Sequence, residues 1–592
     1  MPQAARWAGT PSIKGRSEST RMALLTFSLV GLQFTWGTEM TYCTPYLLQL
    51  GLTKSKTSLV WIAGPLSGLI IQPLIGVIAD RSRSKWGRRR PFMVFGSFVV
   101  AFCLIVLGWT AEIVGMFVTE PEKVGAAKKV TIALAVSSIY AVDFSINVVQ
   151  ACCRSLIVDT LPIPLQQAGS AWAGRMCAIG QLISYVVGSI DTVSIFGSLL
   201  GDTQFKQMTV IAAISLILAV AVTSYSVKER VLISARWVNS TIPMEDRELT
   251  DENRDSDGKG GAIQAISQLF RTTMELPPRI QAICWAQFWA WIGWFPFLFY
   301  STTWVGETYF RYEVSKDQVT KATDMLGEVG RVGSLSLTVF SSITFLSSVL
   351  LPFCIQSPDT KRSRFTPRPP PGVAAALKAV TAVRPDLQTA WFISQIMFAA
   401  TMIFAPLAHS RAFATFLVAA CGIPWAISGW APFAFMGVEI NKLTMNGGTG
   451  GGGMAGQATR SGVTMITSAS VRNSAADTEL EVLRLNHRDS DSDGDEEDQS
   501  SNIPSTGELA GIYLGVLNVY TTLPQFVGTF ISWIVFTLLE PGAQPNKDSD
   551  SSDTQWMNLD KDKPNAISIC LFIGAISALV AAEATRRLRY VP

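Results

Sequence analysis

Apolar residues in this chain come in long unbroken blocks, not at alternate positions and not in short runs bounded by turns. A block of about 20 such residues, rising 1.5 Å each as a helix, crosses a hydrocarbon core of ~30 Å, and only a helix or a closed barrel satisfies its own backbone there. Blocks of that kind fall near 22–48, 57–79, 91–117, 131–158, 168–196, 207–226, 279–304, 331–356, 387–408, 411–437, 508–537 and 564–585. Six lie before a hydrophilic break at 227–278 and six after it. The pattern predicts an all-α polytopic membrane protein with twelve transmembrane helices in two six-helix halves, 22–226 and 279–585. Short tails flank them at 1–21 and 586–592.

Composition agrees with that expectation. The chain is 48% hydrophobic and 16% charged, well under the roughly 25% charged residues of soluble domains. Its 17 Trp and 31 Phe suit membrane interfaces and helix–helix contacts. The net charge of +3 says little, because membrane proteins separate their charges across loops, and no nucleic-acid partner is expected. The nine Cys lie in or beside apolar blocks and read as small buried side chains. With only His409 and His487, no His-built metal site is expected. The N-terminus lacks the pattern of a cleaved signal, so no cleaved signal peptide is expected and the first helix is expected to serve as the signal.

Charge orients the helices. The 2–3 loop carries six positive residues, Arg81, Arg83, Lys85, Arg88, Arg89 and Arg90, and the 8–9 loop at 357–386 carries six against two Asp. The chain ends with Arg586, Arg587 and Arg589, whereas the 11–12 loop at 538–563 holds six acidic residues and three Lys. Positive loops stay in the cytoplasm, so both termini are expected there. The 10–11 loop at 438–507 joins a glycine-rich stretch to the acidic run Asp489–Asp498. It is expected to be a disordered cytoplasmic linker whose serines are candidate kinase targets.

Ionisable residues within a span are costly and mark function by default. Helix 4 carries Asp143, Asn147, Gln150 and Arg154 on one stripe, with Arg154 about 16 Å from Asp143 along the axis. A mid-bilayer carboxylate that must be neutralised to move is the natural proton carrier. Glu39 of helix 1 is the second candidate for proton coupling. Arg331 of helix 8 and Arg175 of helix 5 are candidates for a charge network. Helix 11 shows Gly511, Gly515, Asn518, Thr522 and Gln525 on one face, and helix 7 places Trp285, Gln287, Trp289, Trp291 and Trp294 within ten residues. Aromatic faces stack on sugar rings, as they also anchor helices at interfaces.

Gly76-Val-Ile-Ala-Asp80-Arg81 followed by Gly87-Arg88-Arg89-Arg90 resembles the helix 2–3 signature of the major facilitator superfamily. With Trp61-Ile-Ala-Gly-Pro-Leu-Ser-Gly before it and Pro91-Phe92 after it, the run is similar to plant-type sucrose/proton symporters of the glycoside–pentoside–hexuronide branch. Further matches are Gly31-Leu-Gln33-Phe, Thr44-Pro-Tyr46, Val142-Asp143, Cys153-Arg154-Ser-Leu, Trp291-Ile-Gly-Trp294-Phe-Pro, Gly422-Ile-Pro-Trp and Gly515-Val-Leu-Asn518. The long acidic loop and Gly37-Thr-Glu39-Met look more like fungal members. Two departures are Val332 after Arg331 and Tyr300-Ser-Thr-Thr303 after the helix 7 motif, where plant members carry acidic residues.

The resemblance implies uptake of sucrose or maltose-type α-glucosides across the plasma membrane, driven by protons, with no other cofactor. It implies a protonation site at Asp143 and a required Arg154. Together with the residues above, Gln33, Asn147, Gln150, Trp289, Trp294 and Asn518 are the expected substrate contacts. Asp80, Arg81, Arg88, Arg89 and Arg90 are the expected conformational gate. The rival readings are a sugar receptor without net transport, and a carrier of the same fold for another sugar, for sodium coupling or in an organelle. A polytopic enzyme is disfavoured, because the loops hold no paired carboxylates or nucleophile–base set.

Overall fold

The computed structural model describes residues 7–8, 10–80, 82, 84–117, 124–229, 231–232, 276–314, 324–355, 385–447, 506–540 and 564–590. Among the described residues, twelve long helical elements follow one another. α1 is Glu18–Thr26 followed by Ser28–Gln49, and α2 is Lys54–Val60 followed by Ala63–Asp80. α3 is Arg90–Gly108 with a continuation at Thr110–Phe117, and α4 is Val124–Thr160. α5 is Ile163–Ser189, α6 Gln204–Ser226, α7 Pro278–Tyr312, α8 Met325–Cys354 and α9 Leu387–Met402. α10 is Arg411–Ala420 followed by Gly422–Gly447, α11 is Thr506–Leu539 and α12 is Ala566–Arg587.

Local chemistry starts many of these helices. Thr53, Thr203, Asp324, Asp386, Ser410 and Asn565 each accept a first-turn N–H at α2, α6, α8, α9, α10 and α12. Prolines lie inside α1, α7, α10 and α11 at Pro45, Pro296, Pro432 and Pro524, positions that membrane helices tolerate.

Among the described residues, ten elements are long and apolar enough to cross a membrane by length and composition. Neither α1 nor α5 is among them, because both carry polar side chains through the span, Gln33, Thr38 and Glu39 in α1 and Arg175 and Gln181 in α5. Arg175 of α5 is exposed, whereas α1 is buried against other helices along most of its length and need not be apolar. The reverse holds for α3. Phe95, Phe98 and Phe102 stand on one of its faces at 72%, 55% and 67% exposure, which suits a surface bathed in lipid.

Several helices extend past the apolar blocks. α7 runs on to Tyr312, carrying Glu307 and Arg311, and α10 runs on to Gly447, so that its last turns occupy the start of the expected linker. There Ile440 packs with Ile283, and Glu439 meets Arg279 of α7 at 3.1 Å. Packing therefore carries the helix beyond its apolar stretch. Most of the expected linker, 448–505, and the serine run within it lie outside the described residues.

Within each half, α1 packs on α5 and α6, α3 on α4 and α6, α7 on α11 and α12, and α9 on α12. Gly293 of α7 faces Gly574 of α12 so closely that a β-carbon on Gly574 would sit 3.0 Å from Gly293 O, the close approach small residues allow. The halves meet through α5 on α8, α1 on α7 and α2 on α11. On the side that carries the termini, four two-residue strands pair antiparallel: β1 (Trp7–Ala8) with β4 (Val231–Leu232) and β2 (Ser12–Ile13) with β3 (Val227–Lys228). The leading tail is thereby stitched to the end of α6.

Candidate functional site

The polar stripe of α4 is one face, as its spacing implies, and its exposure changes along its length. Asp143, Asn147 and Gln150 are 4%, 2% and 8% exposed, whereas Arg154 nearer the terminus side is exposed. Glu39 of α1 is 5% exposed and lies close enough to Asp143 to feel its charge. Glu39 Oε1 and Asp143 Oδ2 are both buried without a hydrogen-bond partner. Neither carboxyl meets a basic side chain among the described residues. Burying charge without a counterion is expensive, so this pair is built for something other than holding the fold together.

Asn147 anchors an amide chain across the molecule. Its Nδ2 donates to Ser67 Oγ at 2.8 Å and to the Asp143 carbonyl at 2.9 Å. Its Oδ1 accepts from Gln72 Nε2 of α2 at 3.0 Å, and Gln72 Oε1 accepts from Asn518 Nδ2 of α11 at 3.4 Å. The structure thus brings Asn147 and Asn518 together from opposite halves through Gln72, a residue that the sequence pattern did not single out. Gln33 of α1 lies beside Cys177 of α5, within reach of the Arg154 charge. Gln150 Oε1 is buried without a partner.

The aromatic residues of α7 divide. Trp289 is half-buried, but Trp294 is 1% exposed, packed on Phe398 at 4.2 Å and Trp425 at 4.9 Å between ring centroids. Trp294 therefore sits inside the second half in this state, not on an open face as a sugar contact would. Large aromatic rings fill helix–helix gaps as readily as they line a pocket.

The residues expected to form the gate make a clamp within the first half. Asp159 at the end of α4 receives Arg88 Nη2 at 2.6 Å and Arg89 Nε at 3.0 Å. Arg89 also donates to the Gly76 carbonyl at 3.3 Å. Glu229, just past α6, accepts the backbone N–H groups of Arg88, Arg89 and Arg90 at 2.7, 2.9 and 2.9 Å, neutralising the start of α3. Gly87 has φ 109 and faces this carboxylate, and a β-carbon there would stand 2.7 Å from it. Arg81 and the side chain of Asp80 lie outside the described residues. Neither Asp159 nor Glu229 was expected, since both fall where a helix runs into a loop and no period marks them.

Arg331 bridges the halves. It meets Asp191, just past α5, at 3.5 Å and Glu328 at 3.8 Å. Arg175 is exposed, lies 5.3 Å from the Trp172 ring and forms no ion pair among the described residues. Around Arg331, at the end away from the termini, contacts between the halves cluster. The backbone N–H of Gln204 donates to Asp324 at 3.0 Å, and Thr44 donates to the Phe299 carbonyl at 3.2 Å. That end is shut, while Arg154 and Arg175 at the other are open to solvent.

The chain has clear relatives. The profile of MFS/sugar transport proteins matches residues 26–236. A general alpha-glucoside permease of Schizosaccharomyces pombe is 32% identical over 98% of this chain and 94% of its own. Sucrose transport protein SUC4 of Arabidopsis thaliana is 26% identical over 73% of this chain and 80% of its own. A solved D-xylose-proton symporter superposes with a TM-score of 0.48 at 13% identity, over 94% of this chain and 96% of its own. At 32% identity along nearly its whole length, this chain belongs to the sugar-transporter family of the major facilitator superfamily that holds the fission-yeast permease.

Proposed function

We propose that this protein imports sucrose and maltose-type α-glucosides with protons by alternating access. The observation that carries the reading is the Glu39–Asp143 pair, two buried carboxyls without a basic partner among the described residues. Two such groups at close quarters hold a proton far more cheaply than two charges. In the outward-open state the pair takes a proton from outside, and in the inward-open state it releases one toward the side where Arg154 is exposed. The permease and sucrose-transport names of the relatives support the sugar class.

Hydroxyl-rich rings suit the groups between the halves. Asn147, Gln150, Asn518 and Gln33 offer amides, and Arg154 offers a fork of donors. A sugar entering there competes for the amide chain through Gln72 and so bears on both halves at once. Each proton moving inward yields ~2.3 kcal/mol per 100 mV of membrane potential. That is enough to concentrate a neutral solute.

The positive 2–3 and 8–9 loops support a cytoplasmic address for both termini of a carrier that the proposal places in the plasma membrane. The serines in the acidic run Asp489–Asp498 are the proposed kinase targets. The test is uptake of radiolabelled sucrose and maltose into vesicles with and without an imposed pH gradient. Accumulation that collapses without the gradient and ignores sodium supports the reading. Binding without accumulation would instead make the protein a receptor.

A further inference from the structure

At the end away from the termini, one buried cation sits between two carboxylates of the other half. Lys54, the first residue of α2, is 6% exposed, and Glu307 of α7 is fully buried. The Lys54 Nζ stands 2.6 Å from Glu307 Oε1, an ionic contact without hydrogen-bond alignment, and donates to Glu540 Oε1 past the end of α11 at 3.0 Å. Asn565, which caps α12, donates to the other Glu307 oxygen at 3.3 Å, and the charge of Arg311 acts on Glu307 from one turn away. Beside the cluster, Ser55 and Thr537 hydroxyls meet at 2.7 Å. Beneath it, Thr44, Thr57, Tyr300 and Phe536 close together with no room for a water molecule.

The distribution of charge between the halves is unequal. Among the described residues, the first half supplies Lys54 to this cluster, while the second supplies two carboxylates and Arg311. With Lys54 seated, two positive charges face two negative ones. When the halves part at this end, Lys54 leaves and the second half keeps an excess negative charge that only water can compensate. We infer that Lys54, shared between Glu307 and Glu540, is the positioning residue that holds the outer gate shut while the protein faces inward, an inference that rests on the alternating-access reading above.

The members of the cluster contribute unequally. Removing the Lys54 charge leaves buried Glu307 short of a counterion in the closed state, so closure becomes the costlier arrangement. Neutralising Glu540 leaves one lysine on one carboxylate, and the gate stays shut. Thr303, one turn before Glu307 on the same face of α7, is fully buried and its hydroxyl has no partner, so a cysteine there reports on opening at little cost.

The experiment measures how fast a membrane-impermeant maleimide labels Thr303→Cys in intact cells, per molecule at the surface, with the chain lacking that substitution as background. Lys54→Met is expected to raise the rate by about tenfold or more, Lys54→Arg to leave it near the parent, and Glu540→Gln to change it less than twofold. Should Lys54→Met fail to reach the surface, Glu307→Gln, which keeps shape and removes the facing charge, is expected to give the same rise. An unchanged rate in whichever variant is delivered overturns the inference. Labelling involves neither sugar nor proton, so it can succeed even if vesicle uptake fails, and sugar uptake with unchanged labelling removes the gate assignment alone.

Discussion

The ring of Tyr42 on α1 lies where a β-carbon on Gly330 of α8 would have to be, so these two residues of opposite halves fit only because one of them has no side chain. Tyr42 is fully buried and its hydroxyl is tied to the Gly188 carbonyl, so the ring cannot swing away. Gly330→Ala therefore overpacks the closed outer face, at ~1–3 kcal/mol. Sugar uptake by surface-normalised protein should fall several-fold while the variant still inserts. Wild-type uptake would show that the two helices separate at no cost.

Asp159 holds two guanidinium groups, and its loss should be felt in stability before transport. Charge-assisted bonds of this kind are worth ~1–3 kcal/mol together when partly buried. Asp159→Asn is expected to lower the thermal midpoint of the purified protein in detergent. Glu229→Gln should do the same, because a neutral amide caps the start of α3 less well than a carboxylate. Midpoints equal to the parent would mean that the clamp forms only in another state of the cycle.

Asp143→Asn keeps the volume and polarity of the side chain but cannot carry a proton. The variant should retain exchange of labelled for unlabelled sugar and lose accumulation against a gradient. Glu39→Gln should weaken proton coupling without abolishing it, since Asp143 remains. Robust proton-driven accumulation by Asp143→Asn would remove that residue from the coupling role.

Arg154 is exposed at the open end of the α4 stripe, and no ion pair engages it among the described residues. Its guanidinium never loses its proton and presents several donors in a plane. Lysine keeps the charge and loses the fork. Arg154→Lys should severely impair uptake across a range of external pH at normal surface density. Near-normal uptake would make Arg154 a counterweight to charge with no sugar contact.

How far the site was legible depended on the reach of each signal. Asp143, Asn147, Gln150 and Arg154 share a face because α4 is a helix, and a helical period is visible in one stretch of chain. Glu39 was legible as an ionisable residue inside a span. Gln72 was missed, because a lone amide in an apolar helix carries no signal until Asn147 and Asn518 are seen on either side of it. Trp294, expected as a substrate contact, packs here on Phe398 and Trp425, since a cluster of tryptophans reads alike whether it lines a cavity or fills a core.

Sequence alone determined the twelve helices, their division into two halves and the family, because apolar block length, charge in the loops and contiguous motifs are properties of neighbouring residues. It could not decide where α7 and α10 end, since Glu307 and Glu439 look like the start of a loop until Lys54 and Arg279 compensate them. Lys54 and Glu540 stand 486 positions apart, and no local pattern relates them. Only the packing of one half against the other sets such a pair face to face. The energy of a buried charge depends on what surrounds it in space, so the pairing of the carboxyls and the closing of the outer face were left to tertiary structure.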